Sequence, residues 1–161
     1  MDFLHSYWRM EYVEAPKENK ATANPFLDLP NNENDEETLI LIRGKHHYVV
    51  MNRYPYNAGH LMVIPYREVP DLDDLDEEEQ LEFIQLVIRA KKMLKDAIHP
   101  DAFNVGMNLG VAAGAGIPWH LHCHIVPRWQ GDTNFMPVLG KTRVLPTSLN
   151  SLWKRLKEFA D

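Results

Sequence analysis

The apolar positions along the chain fall into two periods. Thr38–Arg43 and His47–Asn52 are short runs rich in Ile, Leu, Val and Tyr, and Gly44-Lys45 between them predicts a β-hairpin. His60–Tyr66 is a third such run, reached through Tyr54-Pro55-Tyr56-Asn57-Ala58-Gly59, where Pro, Asn and Gly supply turn chemistry. The period then changes. Leu81, Ile84, Val87, Ile88, Leu94 and Ile98 recur at the spacing of one helix face. Asp76 with Glu79 three residues on reads as a capping box, acidic side chains fill the first turn, and Pro100 stops the run, which predicts a helix over about 76–98. Phe103–Leu109 and His120–Arg128 read as further strands. Leu149, Leu152, Leu156 and Phe159 mark an amphipathic C-terminal helix. About five strands in hairpin spacing, with helices set between and after them, predict an α+β domain with an antiparallel sheet.

Composition narrows the picture. A chain of 161 residues, 45% hydrophobic and 25% charged, is long enough to close one core without disulfides. One domain is expected over 1–161, its core at about 24–135, with the segment 1–23 and the helix at 147–161 packed on it. Seventeen basic side chains against 23 acidic ones give a net charge of −6, which argues against nucleic acid as a partner. The single cysteine, Cys123, excludes a disulfide framework and an all-cysteine zinc site. Met1–Glu14 is interrupted by Asp2, His5, Arg9 and Glu11, so neither a signal peptide nor a membrane span is expected there, and the default compartment is the cytoplasm. The acidic stretches at 31–37 and 68–79 read as solvated faces. Residues 102–127, by contrast, hold no Asp, Glu, Lys or Arg. Three histidines, Pro118, Pro127 and four glycines in that stretch argue against a membrane segment and for the functional heart of the domain.

The chemistry concentrates in Trp119-His120-Leu121-His122-Cys123-His124-Ile125-Val126-Pro127. Alternate side chains of a strand share a face, so His120, His122 and His124 are expected on one side and Leu121, Cys123 and Ile125 on the other. The back row belongs to the core, with Cys123 as a small buried hydrophobe. Packing does not call for three imidazoles in front. Two of them could hold zinc with a third ligand from elsewhere. Alternatively, a neutral imidazole could attack a phosphate anhydride while its neighbours donate to the phosphate oxygens. Upstream, the run from Asn108 through Gly110, Gly114 and Gly116 lets backbone N–H groups approach an anion, although it is neither a Walker A loop nor a dinucleotide fingerprint.

His120-Leu121-His122-Cys123-His124-Ile125-Val126 resembles the histidine triad signature at every position. Val49–Pro55 and Gly59–Pro65 are similar to the strand-turn-strand of that family. Tyr7–Tyr12, Gly114–Ile117 and Pro127-Arg128-Trp129 with Gly131–Phe135 resemble its bacterial diadenosine tetraphosphate phosphorylase-like (ATP adenylyltransferase-like) branch. The resemblance implies the histidine triad fold and a homodimer with a continuous sheet. It assigns His122 as the nucleophile, with His120 and His124 flanking the α-phosphate. It places Asn52 on the ribose, His60 behind the triad, Asn108, Gly114 and Gly116 on the phosphate side, and Trp129 as a wall for the second substrate. Relatives that bind zinc do so with a cysteine pair near the start; Asn24–Asp28 stands there in this chain, so no metal site is expected. The loop from Asn108 to His120 also lacks the Gln-Ser or Gln-Thr pair of the eukaryotic hydrolases, which shifts the expectation towards the phosphorylase-like branch.

The expected activity is therefore cleavage of a dinucleoside polyphosphate at the α-phosphate through nucleotidyl-His122, with inorganic phosphate or water as acceptor. No cofactor is required beyond Mg2+ accompanying the polyphosphate. The rival readings are a nucleoside phosphoramidate hydrolase on the same scaffold, a metal-binding module using His120 and His122, and a nucleotide-binding module without turnover.

Overall fold

The computed structural model describes residues 24–134 and 145–160. The expected segment 1–23, with its Tyr7–Tyr12 run, lies outside the described residues, as does Phe135. Asn24 caps a short helix, α1 (Pro25–Asp28), its side chain accepting from the Phe26 N–H and proline standing at the first position. A second short helix, α2 (Asp35–Thr38), is capped by Asn34 and ends at Leu39 in the left-handed region. Thr38 thus closes a helix instead of opening a strand. Then follow β1 (Ile40–Arg43), β2 (His47–Met51), β3 (Leu61–Pro65), the long helix α3 (Glu77–Ile98), β4 (Ala102–Met107), β5 (Cys123–Arg128) and α4 (Leu149–Lys157).

All neighbouring strands pair antiparallel in the order β1-β2-β3-β5-β4. β2 and β3 are buried along their whole lengths, and their Tyr48, Val49, Leu61, Val63 and Ile64 form the centre of the core. The capping box of α3 is present in both halves, Asp76 on the Glu79 N–H and Glu79 on the Asp76 N–H. The buried face of this helix differs from the expected stripe. Phe83, Leu86, Ala90, Met93, Leu94 and Ala97 pack inward, whereas Leu81, Ile84 and Ile88 are exposed. The helix carries apolar residues on two sides, and Phe83 with its small partners Ala90 and Ala97 lets it lie close on the sheet.

The two sheet edges are treated differently. α4 closes the β1 edge, Trp153 Nε1 donating to the Ile40 carbonyl at 2.9 Å and Lys157 Nζ to the Leu41 carbonyl at 2.8 Å. β4, the other edge, is exposed at Ala102, Asn104, Val105 and Gly106.

Candidate active site

Only the last histidine of the triad belongs to the sheet. The ladders of β5 with β3 and β4 end at Cys123, opposite Val63 and Met107. Just upstream the Leu121 N–H donates at 2.6 Å to the Val69 carbonyl, beyond the end of β3. His120 and His122 therefore lie outside the regular strand on which the sequence pattern placed them. His122 and His124 meet edge to face, centroids 5.0 Å apart and planes at 85°.

Each ring's tautomer follows from a partner that can only donate or only accept. His122 Nδ1 lies 2.8 Å from the His120 carbonyl, so Nδ1 carries the proton and Nε2 keeps its lone pair. The Tyr56 N–H donates to His60 Nδ1 at 3.0 Å. His60 Nε2–H consequently donates to His124 Nδ1 at 2.9 Å, which leaves the N–H of a neutral His124 on Nε2. His122 thus keeps a lone pair on Nε2, while a neutral His124 carries its proton there. Tyr56 also covers His60, their rings 4.5 Å apart.

His120 is 1% exposed and has both nitrogens occupied. Nε2–H donates to the Pro65 carbonyl at 2.9 Å, and Nδ1 accepts from Asn24 Nδ2 at 2.8 Å. Both nitrogens are thus engaged by partners within the protein. Burial pushes His120 and His122 below the ordinary imidazole range, opposed only in part by the carbonyls of Pro65 and His120. Burial also pushes the Cys123 thiol up to about 11, which keeps it inert.

Asn52 lies beside His60, its Nδ2 3.4 Å from His60 Nδ1 and its Oδ1 accepting from the Tyr54 N–H at 2.9 Å. Asn108 Nδ2 reaches the Gly114 carbonyl at 3.5 Å, tying the ends of the glycine loop together. Gly110 and Gly114 have φ of +79° and +86°, and a 3-10 turn over Val111–Ala113 lies between them. The N–H groups of Ala113, Gly114 and Ala115 are used inside this turn, and Gly116 follows in the exposed part of the loop. Trp129 is not brought to the triad. Its indole donates to the His99 carbonyl at 3.2 Å, and it lines a cleft with Ala58, Ile98, Pro146 and Arg155. The physical reason is strand length: it stands five positions beyond His124, about 16 Å of rise.

Four contributing residues escape the sequence pattern: Asn24, Phe26, Tyr56 and Glu68. The Asn24-Pro25 pair was legible as a helix start, but nothing local says that its amide meets His120. This corner offers an amide, a carboxylate and an imidazole with no thiolate, a donor set that does not fit a structural zinc of the cysteine type.

The HIT domain family model matches residues 33–131. The chain belongs to the histidine triad family. Among curated relatives, the AP-4-A phosphorylase of Mycobacterium tuberculosis is 44% identical over 157 residues, covering 92% of this chain and 80% of its own length. The asymmetrical bis(5'-nucleosyl)-tetraphosphatase of Schizosaccharomyces pombe is 34% identical over 93 residues, 58% of this chain and 50% of that protein. Among solved structures, a hypothetical histidine triad nucleotide-binding protein from Sulfolobus tokodaii superposes with a TM-score of 0.69 at 26% identity, covering 85% of this chain and 91% of that one. The chain thus has the histidine triad fold, an antiparallel five-strand sheet with a long helix and a C-terminal helix.

Proposed function

We propose that this histidine triad protein cleaves dinucleoside polyphosphates of the diadenosine tetraphosphate type at the α-phosphate. The observation that carries the reading is the His122 ring, its Nδ1 held by the His120 carbonyl so that Nε2 keeps its lone pair, set edge to face at 5.0 Å with the His124 ring that His60 orients. His122 Nε2 attacks the α-phosphorus, the bond to the bridging oxygen breaks, and the nucleoside triphosphate leaves with a proton from His124. Inorganic phosphate then attacks nucleotidyl-His122, giving the nucleoside diphosphate and freeing the ring. The relationship to an AP-4-A phosphorylase across most of the chain supports phosphate over water as acceptor. Asn52, Asn108, Gly114 and Gly116 are read as ligand contacts, and His60 as the support of His124. The imidazoles supply the chemistry without a cofactor, and Mg2+ enters only with the polyphosphate.

The reading takes 1–161 as one domain working as a homodimer in the cytoplasm, with no nucleic-acid or membrane partner. Two features support self-association. β4 leaves a sheet edge open, and a side chain at Gly106 would meet nothing within 4 Å, so a second β4 has room to approach. Among the described residues no helix is long and apolar enough to cross a membrane. A monomer in light scattering at micromolar concentration would refute the dimer.

The deciding experiment is product analysis on diadenosine tetraphosphate with and without phosphate. ADP with ATP, only when phosphate is present, is the expected result. AMP with ATP regardless of phosphate makes water the acceptor. No cleavage in either tube overturns the reading, and adenosine phosphoramidate is then the substrate to try.

A further inference from the structure

The mechanism proposed above uses His122 and His124 and leaves His120 without a chemical task, although it is among the most enclosed polar residues described. Its surroundings are built, residue by residue. Asn24 is 8% exposed and has its whole amide engaged. Oδ1 accepts from the Phe26 N–H at 3.1 Å, which fixes the amide's orientation. Nδ2 then gives one hydrogen to His120 Nδ1 at 2.8 Å and the other to Glu68 Oε2 at 2.5 Å. Because Nδ2 can only donate, His120 Nδ1 is held as an acceptor and its proton is held on Nε2, facing the Pro65 carbonyl. The carbonyl of the same His120 is the acceptor that fixes His122 Nδ1–H. Two residues further along the same segment, the Phe26 ring meets His120 at 5.5 Å and His122 at 5.2 Å, and the Phe26 carbonyl accepts from Tyr48 Oη in the core at 2.8 Å.

We propose that Asn24, oriented by Glu68, is a positioning residue that sets the attack geometry of His122 by locking His120. The path has three links: carboxylate to amide, amide to imidazole, and the carbonyl of that residue to the nucleophile's Nδ1–H. An amide is suited to the middle place because it donates to two acceptors at once without adding charge beside a ring that must stay neutral. A carboxylate there would repel Glu68 and draw a proton onto His120. The assignment rests on the nucleotidyl-transfer reading for its kinetic consequence, but not for its geometry.

The test uses Asn24→Ser, which keeps a helix cap at α1 but cannot bridge. Steady-state kinetics on diadenosine tetraphosphate are run beside long-range 1H–15N NMR spectra of the histidine rings. The expected result is a kcat at least tenfold lower with KM changed less than threefold, together with loss of the single Nε2–H form of His120 and the single Nδ1–H form of His122. Unchanged ring tautomers with kcat within twofold of the parent overturn the proposal, and so does a change in KM alone. Glu68 is exposed, so Glu68→Ala serves where Asn24→Ser does not fold. It is expected to lower kcat three- to tenfold, and Glu68→Gln, which keeps an acceptor, restores most of that loss; equal rates for the Ala and Gln variants count against the bridge. If the parent protein cleaves no dinucleoside polyphosphate, the functional reading fails, and the NMR arm alone decides the positioning role.

Discussion

Among the described residues, histidines are buried in two regions, the triad with its neighbour His60 and the start of β2, and the two are built differently. At the hairpin between β1 and β2, His47 has no exposed side-chain surface and donates from Nδ1 to Glu82 Oε2 at 2.9 Å. Glu82 also accepts the N–H groups of Lys45 and His46 at 2.6 and 2.7 Å, so one carboxylate pins the turn and the ring to α3. His47 Nε2 is buried without a hydrogen-bond partner among the described residues, and Phe83 packs against the ring at 5.4 Å. His122 is also buried and also donates from Nδ1, but to a neutral carbonyl, and its ring edge meets another imidazole. Burial depresses both rings, while Glu82 pulls His47 back up. Burial and a fixed tautomer are thus common to both regions. What separates them is the setting of the ring: Phe83 and the apolar core around His47, a second imidazole edge to face with His122.

The sharpest way to break this contrast is to remove each ring. His122→Ala is expected to lower kcat by three or more orders of magnitude while nucleotide binding and melting temperature stay close to the parent's. His47→Ala is expected to do the reverse, costing about 2–4 kcal/mol of stability with kcat per folded molecule within threefold. Equilibrium unfolding and turnover on both variants check the pair. Activity above a tenth of the parent's in His122→Ala would sink the nucleophile assignment.

Gly59 tests whether fold and chemistry separate next to His60. Its φ is +78°, and a Cβ there would sit 2.7 Å from Ile98 Cδ1 and 3.1 Å from Leu94 Cδ2. Gly59→Ala combines backbone strain with overpacking and is expected to cost about 2–4 kcal/mol. Because His60 follows directly, kcat should fall as well, unlike in His47→Ala. A destabilised variant with parental kcat would show that His60 is held independently of its turn.

Much of this was legible because it is periodic. Strand runs around Tyr48 and Val63 and the capping box at Asp76–Glu79 are local signals, and the structure carries them where the pattern put them. The failures are tertiary. α3 has two apolar sides, and only packing on the sheet chooses Phe83 over Leu81. The alternation at His120–His124 looked like a strand, yet the Val69 carbonyl draws Leu121 out of the ladder and turns His120 inward. The triad itself was visible as residues. Its division of labour was not, because that depends on Asn24 and His60, which lie 96 and 64 positions upstream of the histidines they face.

Acid sharpens the same comparison with a smaller effect. The folded-state pKa of His47 lies below the ordinary 6.5, so the unfolded chain binds more protons at mildly acidic pH. The stability this contributes is complete above about pH 6.5 and is lost as pH falls towards the folded-state value. His120 and His122 are depressed in the same direction and add to the slope. His47→Gln should therefore flatten the dependence of unfolding free energy on pH between about 5 and 7, leaving the acid limb of kcat/KM, set by His122, where it was. Denaturant titrations at several pH values and a pH–rate profile check this, and a shifted rate profile would mean that the two regions are coupled.

The smallest expected effect isolates what holds the hairpin. Lys45 Nζ lies 2.5 Å from Glu78 Oε1, but the two side chains are 66% and 64% exposed. Salt at about 0.15 M screens such a pair, and ordering two long side chains offsets most of its attraction. What Glu82 accepts from Lys45 is the backbone N–H, which alanine at that position keeps. Lys45→Ala should therefore leave both melting temperature and kcat at parental values, although it deletes the shortest ion pair of the turn. A loss of stability as large as that of His47→Ala would place the hold on the surface charges. The buried Glu82–His47 contact would then be a passenger, and the contrast with the triad would rest on the wrong carboxylate.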